Sequence, residues 1–210
     1  MNIIKSLEWR YATKTFDPSK KLSEEDFNEL LEALRLTASS FGLQPWKFIV
    51  VRNPEIRQQL REHAWGQSQV TDASHLIVLA SKKEISDADI IKFIESTAQA
   101  QGIESAVLEG LKSVVTGARD RMTPEQVELW NANQIYIALG NLLTVAALKE
   151  IDACPMEGFN KEEFERILGS VVDGYKIRAI CPVGYRSDED HSALRAKMRY
   201  PKEDVVVEIN

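Results

Sequence analysis

The sequence predicts a single α+β domain in which helices surround a central sheet. One observation is the order of segments: helix, helix, strand, helix, strand, several helices, strand, tail, with no strict βαβ alternation. A second is continuity, because no linker, low-complexity run or internal repeat interrupts residues 1–210. The third is composition. With 44% hydrophobic and 28% charged residues, the chain can build a sizeable core as one domain. A doubly wound nucleotide fold is not expected.

The elements follow in order. Asn2 to about Trp9 reads as a short amphipathic helix with Ile3, Ile4 and Leu7 on one side. A turn at Asp17-Pro18-Ser19 precedes Ser23-Glu24-Glu25-Asp26, a hydroxyl cap followed by acids where a helix N-terminus favours them. Phe27, Leu30, Leu31 and Leu34 form the stripe of that helix. Residues 47–52 (KFIVVR) read as a strand, and Pro54 opens a helix to about Ala64. Residues 75–81 (HLIVLAS) are apolar at successive positions, as in a strand covered on both faces.

Helical segments are expected at 87–101 and 104–116. Thr123-Pro124-Glu125-Gln126 then opens a long helix running to about residue 150. Its apolar positions wrap more than one face, as in a helix central to a fold or to a dimer. Asn160 starts a helix ending near Leu168, residues 175–183 read as a central strand, and 204–209 as an edge strand.

The chain's net charge of −6 argues against a nucleic-acid footprint. No stretch approaches the roughly 20 apolar residues of a membrane span, and no signal peptide is visible at the N-terminus. A cytoplasmic protein is expected. Cys154 and Cys181 share no metal or redox spacing and read as buried small residues. Dinucleotide, Walker and nucleophile-elbow glycine patterns are missing, and His63, His75 and His191 stand alone. A metal site or a simple hydrolase is not expected.

Four features carry chemistry. Arg10 with Lys14, and Lys197 with Arg199, are basic pairs at opposite ends of the chain that together suit a phosphate. Singly, such residues are ordinary solvated charges. Ser39-Ser40-Phe41-Gly42-Leu43-Gln44-Pro45-Trp46 offers hydroxyls, a glycine and an amide for a polar ring, or else is a plain helix-to-strand connection. Pro155-Met156-Glu157-Gly158-Phe159 contains a glycine that allows close approach of a ligand, or is an ordinary turn. Gln67 and Gln69 form an amide patch whose plainer reading is a solvated loop.

In order along the chain stand Arg10–Phe16 (RYATKTF), residues 39–50 (SSFGLQPWKFIV), Asp72-Ala73-Ser74-His75, the PMEGF segment and Lys197–Pro201 (KMRYP). This set resembles the nitroreductase family of flavoproteins, specifically its oxygen-insensitive NAD(P)H nitroreductase and dihydropteridine reductase branch. The resemblance spans essentially the whole chain. It implies a mostly antiparallel central sheet, an intertwined homodimer and two FMN sites at the subunit interface. By the same match Arg10, Lys14, Lys197 and Arg199 contact FMN, with Tyr11 and Ala12 beside them. Ser39, Ser40 and Gly42 approach the flavin from the partner chain. Pro155, Met156, Glu157 and Gly158 lie along the ring, as do Gln67 and Gln69, and Phe41 meets the acceptor.

The implied activity is transfer of electrons from NAD(P)H to a nitroaromatic or quinone acceptor by a ping-pong hydride mechanism. Lys14 would stabilise charge on the reduced ring, and no side chain is assigned as catalytic. Rival readings are a dihydropteridine or free-flavin reductase, a flavin-binding protein without turnover, or an unrelated domain. The chain departs from the family pattern at Tyr11-Ala12, at Phe41-Gly42 and at Gln67 and Gln69. Those departures bear more on the acceptor than on FMN.

Overall fold

The computed structural model describes residues 2–209, so the two end positions of the expected 1–210 domain lie outside the described residues. In chain order the elements are α1 (Ile3–Trp9), α2 (Glu24–Arg35), β1 (Trp46–Val51), α3 (Pro54–Glu62), α4 (Gln69–Asp72), β2 (His75–Lys82), α5 (Asp87–Gln101), α6 (Glu109–Asp120), α7 (Pro124–Leu148), β3 (Asp152–Ala153), α8 (Lys161–Leu168), β4 (Tyr175–Gly184) and α9 (Lys202–Val205). The strands form one antiparallel sheet in the order β1-β2-β4-β3. The fold is α+β, as expected.

Helix starts follow their caps. The Ser23 hydroxyl accepts from the Asp26 N–H, and Thr123 with Gln126 closes a reciprocal box at the head of α7. β2 is buried along its length through Ser81, because both faces of the sheet are covered. On one face Ile77, Leu79, Ala179 and Cys181 pack against α2 and α7 through Phe27, Leu30, Ile135 and Leu142. On the other, Leu76, Val78, Ala80 and Ile180 meet α3 and α8 through Leu60 and Phe164. A smaller cluster (Ile85, Ile90, Ile94, Val115 and Val127) joins α5 and α6 to the start of α7.

As expected, Ile3, Ile4 and Leu7 share a side of α1; that side faces outward at 52%, 59% and 39% exposure, while Ser6 is the buried residue. Two expectations are corrected. The segment expected as a helix over 104–116 begins with a 3-10 turn at Ser105–Leu108, and α6 proper starts at Glu109. The expected edge strand at 204–209 is not formed. Pro201 caps the single turn α9, whose first turn holds Glu203 and Asp204, and Val207 and Ile209 are 83% and 95% exposed. A β-branched run makes a strand only where a sheet edge is within reach. The two-residue β3 and the one-turn α4 were not anticipated. Arg57 holds α4 in place, donating from Nε to the Val70 carbonyl and from Nη2 to that of Ala73, both at 2.7 Å. These groups satisfy carbonyls left open at the end of a helix.

His75, 7% exposed, stacks on Phe27 with ring centroids 3.7 Å apart. Burial, followed by the nearby Arg52 charge, lowers its pKa from 6.5 to about 4. The unfolded chain therefore binds the proton more tightly. The contribution of His75 to stability is complete above pH 6.5 and is lost as the pH falls toward about 4. At about 1.4 kcal/mol per pKa unit the loss amounts to about 3 kcal/mol. Urea midpoints measured across this window should fall with pH, and His75→Gln should flatten the fall. An equal slope in the variant would remove His75 as its source.

Candidate functional site

The site is organised by the open edge of the sheet. β3 pairs with the end of β4, and the chain continues along the same neighbour: the Cys154 N–H donates to Pro182 O at 3.0 Å and the Met156 N–H to Ile180 O at 2.9 Å. Outside this lane runs the Arg10–Lys14 segment, through a parallel bridge of Ala12 to Ala153. Asp190 fixes that outer segment. Its carboxylate accepts from the Lys14 N–H (2.7 Å), the Thr15 N–H (3.1 Å), the Tyr11 hydroxyl (3.0 Å) and the Ser192 N–H (3.0 Å). Burial acts to raise the Asp190 pKa, but these donors outweigh it and hold the carboxyl below its ordinary value. Tyr11 is thus committed to Asp190 through its hydroxyl.

At the start of the lane lies a cationic cavity of about 640 Å³, lined by residues that include Trp9, Arg186, Arg195, Lys197 and Arg199. Arg186 is set by Asp152, whose carboxylate is 4% exposed and accepts its backbone N–H at 2.8 Å and its Nε at 2.8 Å. The guanidinium lies over Trp9 at 4.2 Å and over Tyr11 at 4.6 Å. Its Nη2 is 2.6 Å from Asp152 Oδ1 but off the hydrogen-bonding direction, so it remains a buried donor without an acceptor. Burial, then the charges of Arg10, Arg186 and Arg199, hold the Lys197 ammonium below the usual lysine value. Burial, then Arg199, lowers Arg10. The four cations Arg10, Lys14, Lys197 and Arg199 make no ion pair among the described residues. Glu8 also lines the cavity and partly offsets this charge at Lys197, but the cations outnumber it; clustered cations make an anion site, and Arg forks suit a phosphate.

The other end of the lane is built for a different contact. Glu157 is exposed and lies near the Tyr136 phenol, which burial and then this carboxylate raise above its ordinary pKa. Gly158 lies against the Trp65 ring: an added Cβ would stand 2.4 Å from it, so the ring would have to shift. Gln67 donates from Nε2 to the carbonyls of Gly158 (2.9 Å) and Ala64 (3.0 Å), so its amide N–H groups serve the backbone. Gln69 is buried in α4 at 6% exposure, and Met156 at 7% packs into the core. Pro155 is half-buried. Cys154, whose thiol is raised by burial, lies beside Lys14 and Arg10. From Cys154 to Gly158 the lane spans at most about 13 Å at roughly 3.3 Å per residue.

The Ser39–Gly42 loop occupies another region. The Ser40 N–H donates to Gln134 Oε1 at 2.8 Å, and Ser39 Oγ accepts from the Gln44 N–H at 2.9 Å. Phe41 takes φ 54°, is 43% exposed and meets Trp130 edge-on; Gly42, at φ 79°, faces Phe93. Among the described residues no hydrogen bond joins this loop to the cationic cavity or to residues 155–158.

Residue types and spacing thus point to the cations and the glycine segment, but not to Arg186, Asp190 or Trp65. Arg186 and Asp190 sit in a run, Gly184-Tyr185-Arg186-Ser187-Asp188-Glu189-Asp190, that reads as a charged turn. Only their partners, over 30 and over 170 residues away in sequence, show their role.

Comparison with known proteins gives a consistent picture. The model of the nitroreductase family matches residues 7–185. A Bacillus subtilis protein provisionally named NAD(P)H nitroreductase YfkO is 39% identical over 215 residues, covering 97% of this chain and 96% of its own. A Staphylococcus epidermidis protein, SERP2086, with the same provisional naming is 37% identical over 218 residues, 97% of this chain and 95% of its own. Among solved structures, a provisionally named nitroreductase of Exiguobacterium sibiricum in complex with FMN superposes with TM-score 0.84 at 21% identity, covering 100% of this chain and 98% of its own. The Bacillus subtilis protein ydfN gives TM-score 0.86 at 19% identity, covering 98% of each chain.

Proposed function

The chain belongs to the nitroreductase family, and from that premise we propose that it binds FMN and passes electrons from NAD(P)H to nitroaromatic or quinone acceptors. The observation that carries this is the single lane 152–158. It begins at a cavity lined mostly by cations and ends, within about 20 Å at roughly 3.3 Å per residue, at a glycine that lies against the flat Trp65 ring. An elongated ligand with a phosphate at one end and a planar ring at the other matches that layout, with Lys197 and Arg199 lining the cavity at the first end.

When bound, FMN supplies the two-electron relay between donor and acceptor. The protein's part is orientation and charge. Arg10, Lys197 and Arg199, with Arg186 braced behind them, hold the anionic end, while Lys14, exposed beside the lane, adds positive charge where a reduced ring would need it. No side chain acts as a dedicated acid in this reading.

The proposal includes a homodimer. Ile3, Ile4 and Leu7 on α1 and Leu129, Ile137 and Leu148 on α7 are all 39–63% exposed, an apolar surface of the kind that pairs with another chain. The Ser39–Gly42 loop, remote from the lane in its own chain, would serve the partner's site. Purified protein should be yellow or take up added FMN, and anaerobic NADH or NADPH should bleach it. Protein that takes up no FMN would end this reading; a panel of nitro compounds, quinones, dihydropteridines and free flavins then ranks the acceptors.

A further inference from the structure

Of the four tryptophans, Trp9, Trp46 and Trp130 are half-buried, while Trp65 is 76% exposed. A large apolar ring left in water is unusual unless it faces a ligand or a partner. Trp65 is also held in an unusual backbone. It has φ 55°, in the left-handed region that a bulky residue rarely adopts, and Gly66 follows at φ 70°. The turn is braced on both sides. The Gly66 N–H donates to Arg61 O at 3.0 Å, and Arg61 Nε returns a bond to Gly66 O at 3.0 Å. The Gln67 amide ties Ala64 to Gly158, and the Asn160 N–H donates to His63 O at 2.8 Å. The backbone that carries the indole is therefore braced, and the ring lies against Gly158 of the lane, where an added Cβ would meet it at 2.4 Å.

We propose that Trp65 selects the electron acceptor, its indole forming a fixed aromatic wall beside Gly158 on which planar aromatic acceptors stack. The inference rests on the FMN-dependent function proposed above and adds the residue that would favour flat, aromatic acceptors over compact or aliphatic ones. Aromatic faces attract one another through offset stacking, which a compact inorganic oxidant cannot use. Trp65 contributes no proton or electron.

The test uses holoprotein and the variants Trp65→Ala and Trp65→Phe. The dissociation constant of 4-nitrobenzoate is read from the perturbed flavin spectrum, and steady-state kcat/KM is measured with menadione and with ferricyanide. Trp65→Ala should weaken 4-nitrobenzoate binding about tenfold. It should also lower kcat/KM for menadione about tenfold more than for ferricyanide, with Trp65→Phe recovering most of both. The FMN dissociation constant should move less than threefold. Unchanged 4-nitrobenzoate binding overturns the proposal. So do equal losses with both oxidants, or losses that Phe does not recover, since a merely structural role predicts these. If neither nicotinamide bleaches the wild-type protein, the functional reading fails by itself, and the 4-nitrobenzoate comparison still decides the role of Trp65.

Discussion

Lys197→Ala combined with Arg199→Ala is expected to weaken FMN binding by roughly two to four orders of magnitude. Hydrogen bonds to a charged group are worth about 1.5–3 kcal/mol each, and about 1.4 kcal/mol is a factor of ten. Both residues are exposed, and the fold uses neither charge among its described ion pairs. Thermal stability without FMN should therefore stay close to wild type, as for ordinary surface substitutions. Titration with riboflavin separates phosphate recognition from ring recognition, because riboflavin lacks the phosphate. The double variant should bind riboflavin as the wild type does, and should bind FMN little better than riboflavin. Lys202→Ala, in the same tail but outside the cavity lining, is the charge control. An unchanged FMN affinity, or an equal loss for both ligands, would remove the tail from the phosphate site.

The ease of reading these two residues shows what a sequence carries. Helix starts were legible because a cap is a local event: Ser23 and Thr123 bond to N–H groups three residues away. β2 and β4 were legible because continuous burial leaves a continuous apolar run. What failed was whatever depended on distant partners. The apolar stripe of α1 was read correctly as a stripe, but a stripe does not say what it faces; here Ser6 turns inward and Ile3 and Ile4 outward. The consecutive valines near the C-terminus read as a strand, yet among the described residues no sheet edge meets them, and Pro201 with two acids starts a helical turn instead.

The same distinction runs through the site. Cations that bind a ligand keep their charge unpaired and can be suspected from the residue types alone. Residues that hold the cations in place are paired, and paired charges look like any salt bridge until the fold brings the partners together. Asp190 lies within a charged turn in sequence, but in the fold it gathers two backbone N–H groups and a phenol from the other end of the chain. The departure at Tyr11 becomes intelligible in these terms: the hydroxyl braces Asp190 and the ring carries Arg186. Trp65 escaped notice because an exposed tryptophan and a core tryptophan are the same letter.

Asp152→Ala should have the largest effect on stability of any change near the site, lowering the unfolding free energy by about 3–5 kcal/mol, because it removes one partner of a buried ion pair. Its carboxylate is 4% exposed and takes bonds from the Arg186 backbone, the Arg186 guanidinium and the Thr13 hydroxyl at 3.2 Å. Without it the Arg186 charge is left half-buried between Trp9 and Tyr11 with nothing to neutralise it. Urea unfolding of the FMN-free protein measures the loss directly. Asp152→Ala with Arg186→Met should then recover much of it, since an apolar chain replaces the stranded charge and can lie on the same two rings. FMN affinity should not recover in parallel, because the double variant lacks the guanidinium at the cationic cavity. Stability returning while FMN binding stays reduced would show that this one ion pair serves fold and site through separable interactions. A single variant within about 1 kcal/mol of wild type would mean that Arg186 is held chiefly by Trp9 and Tyr11, and that the carboxylate is not what sets the cavity.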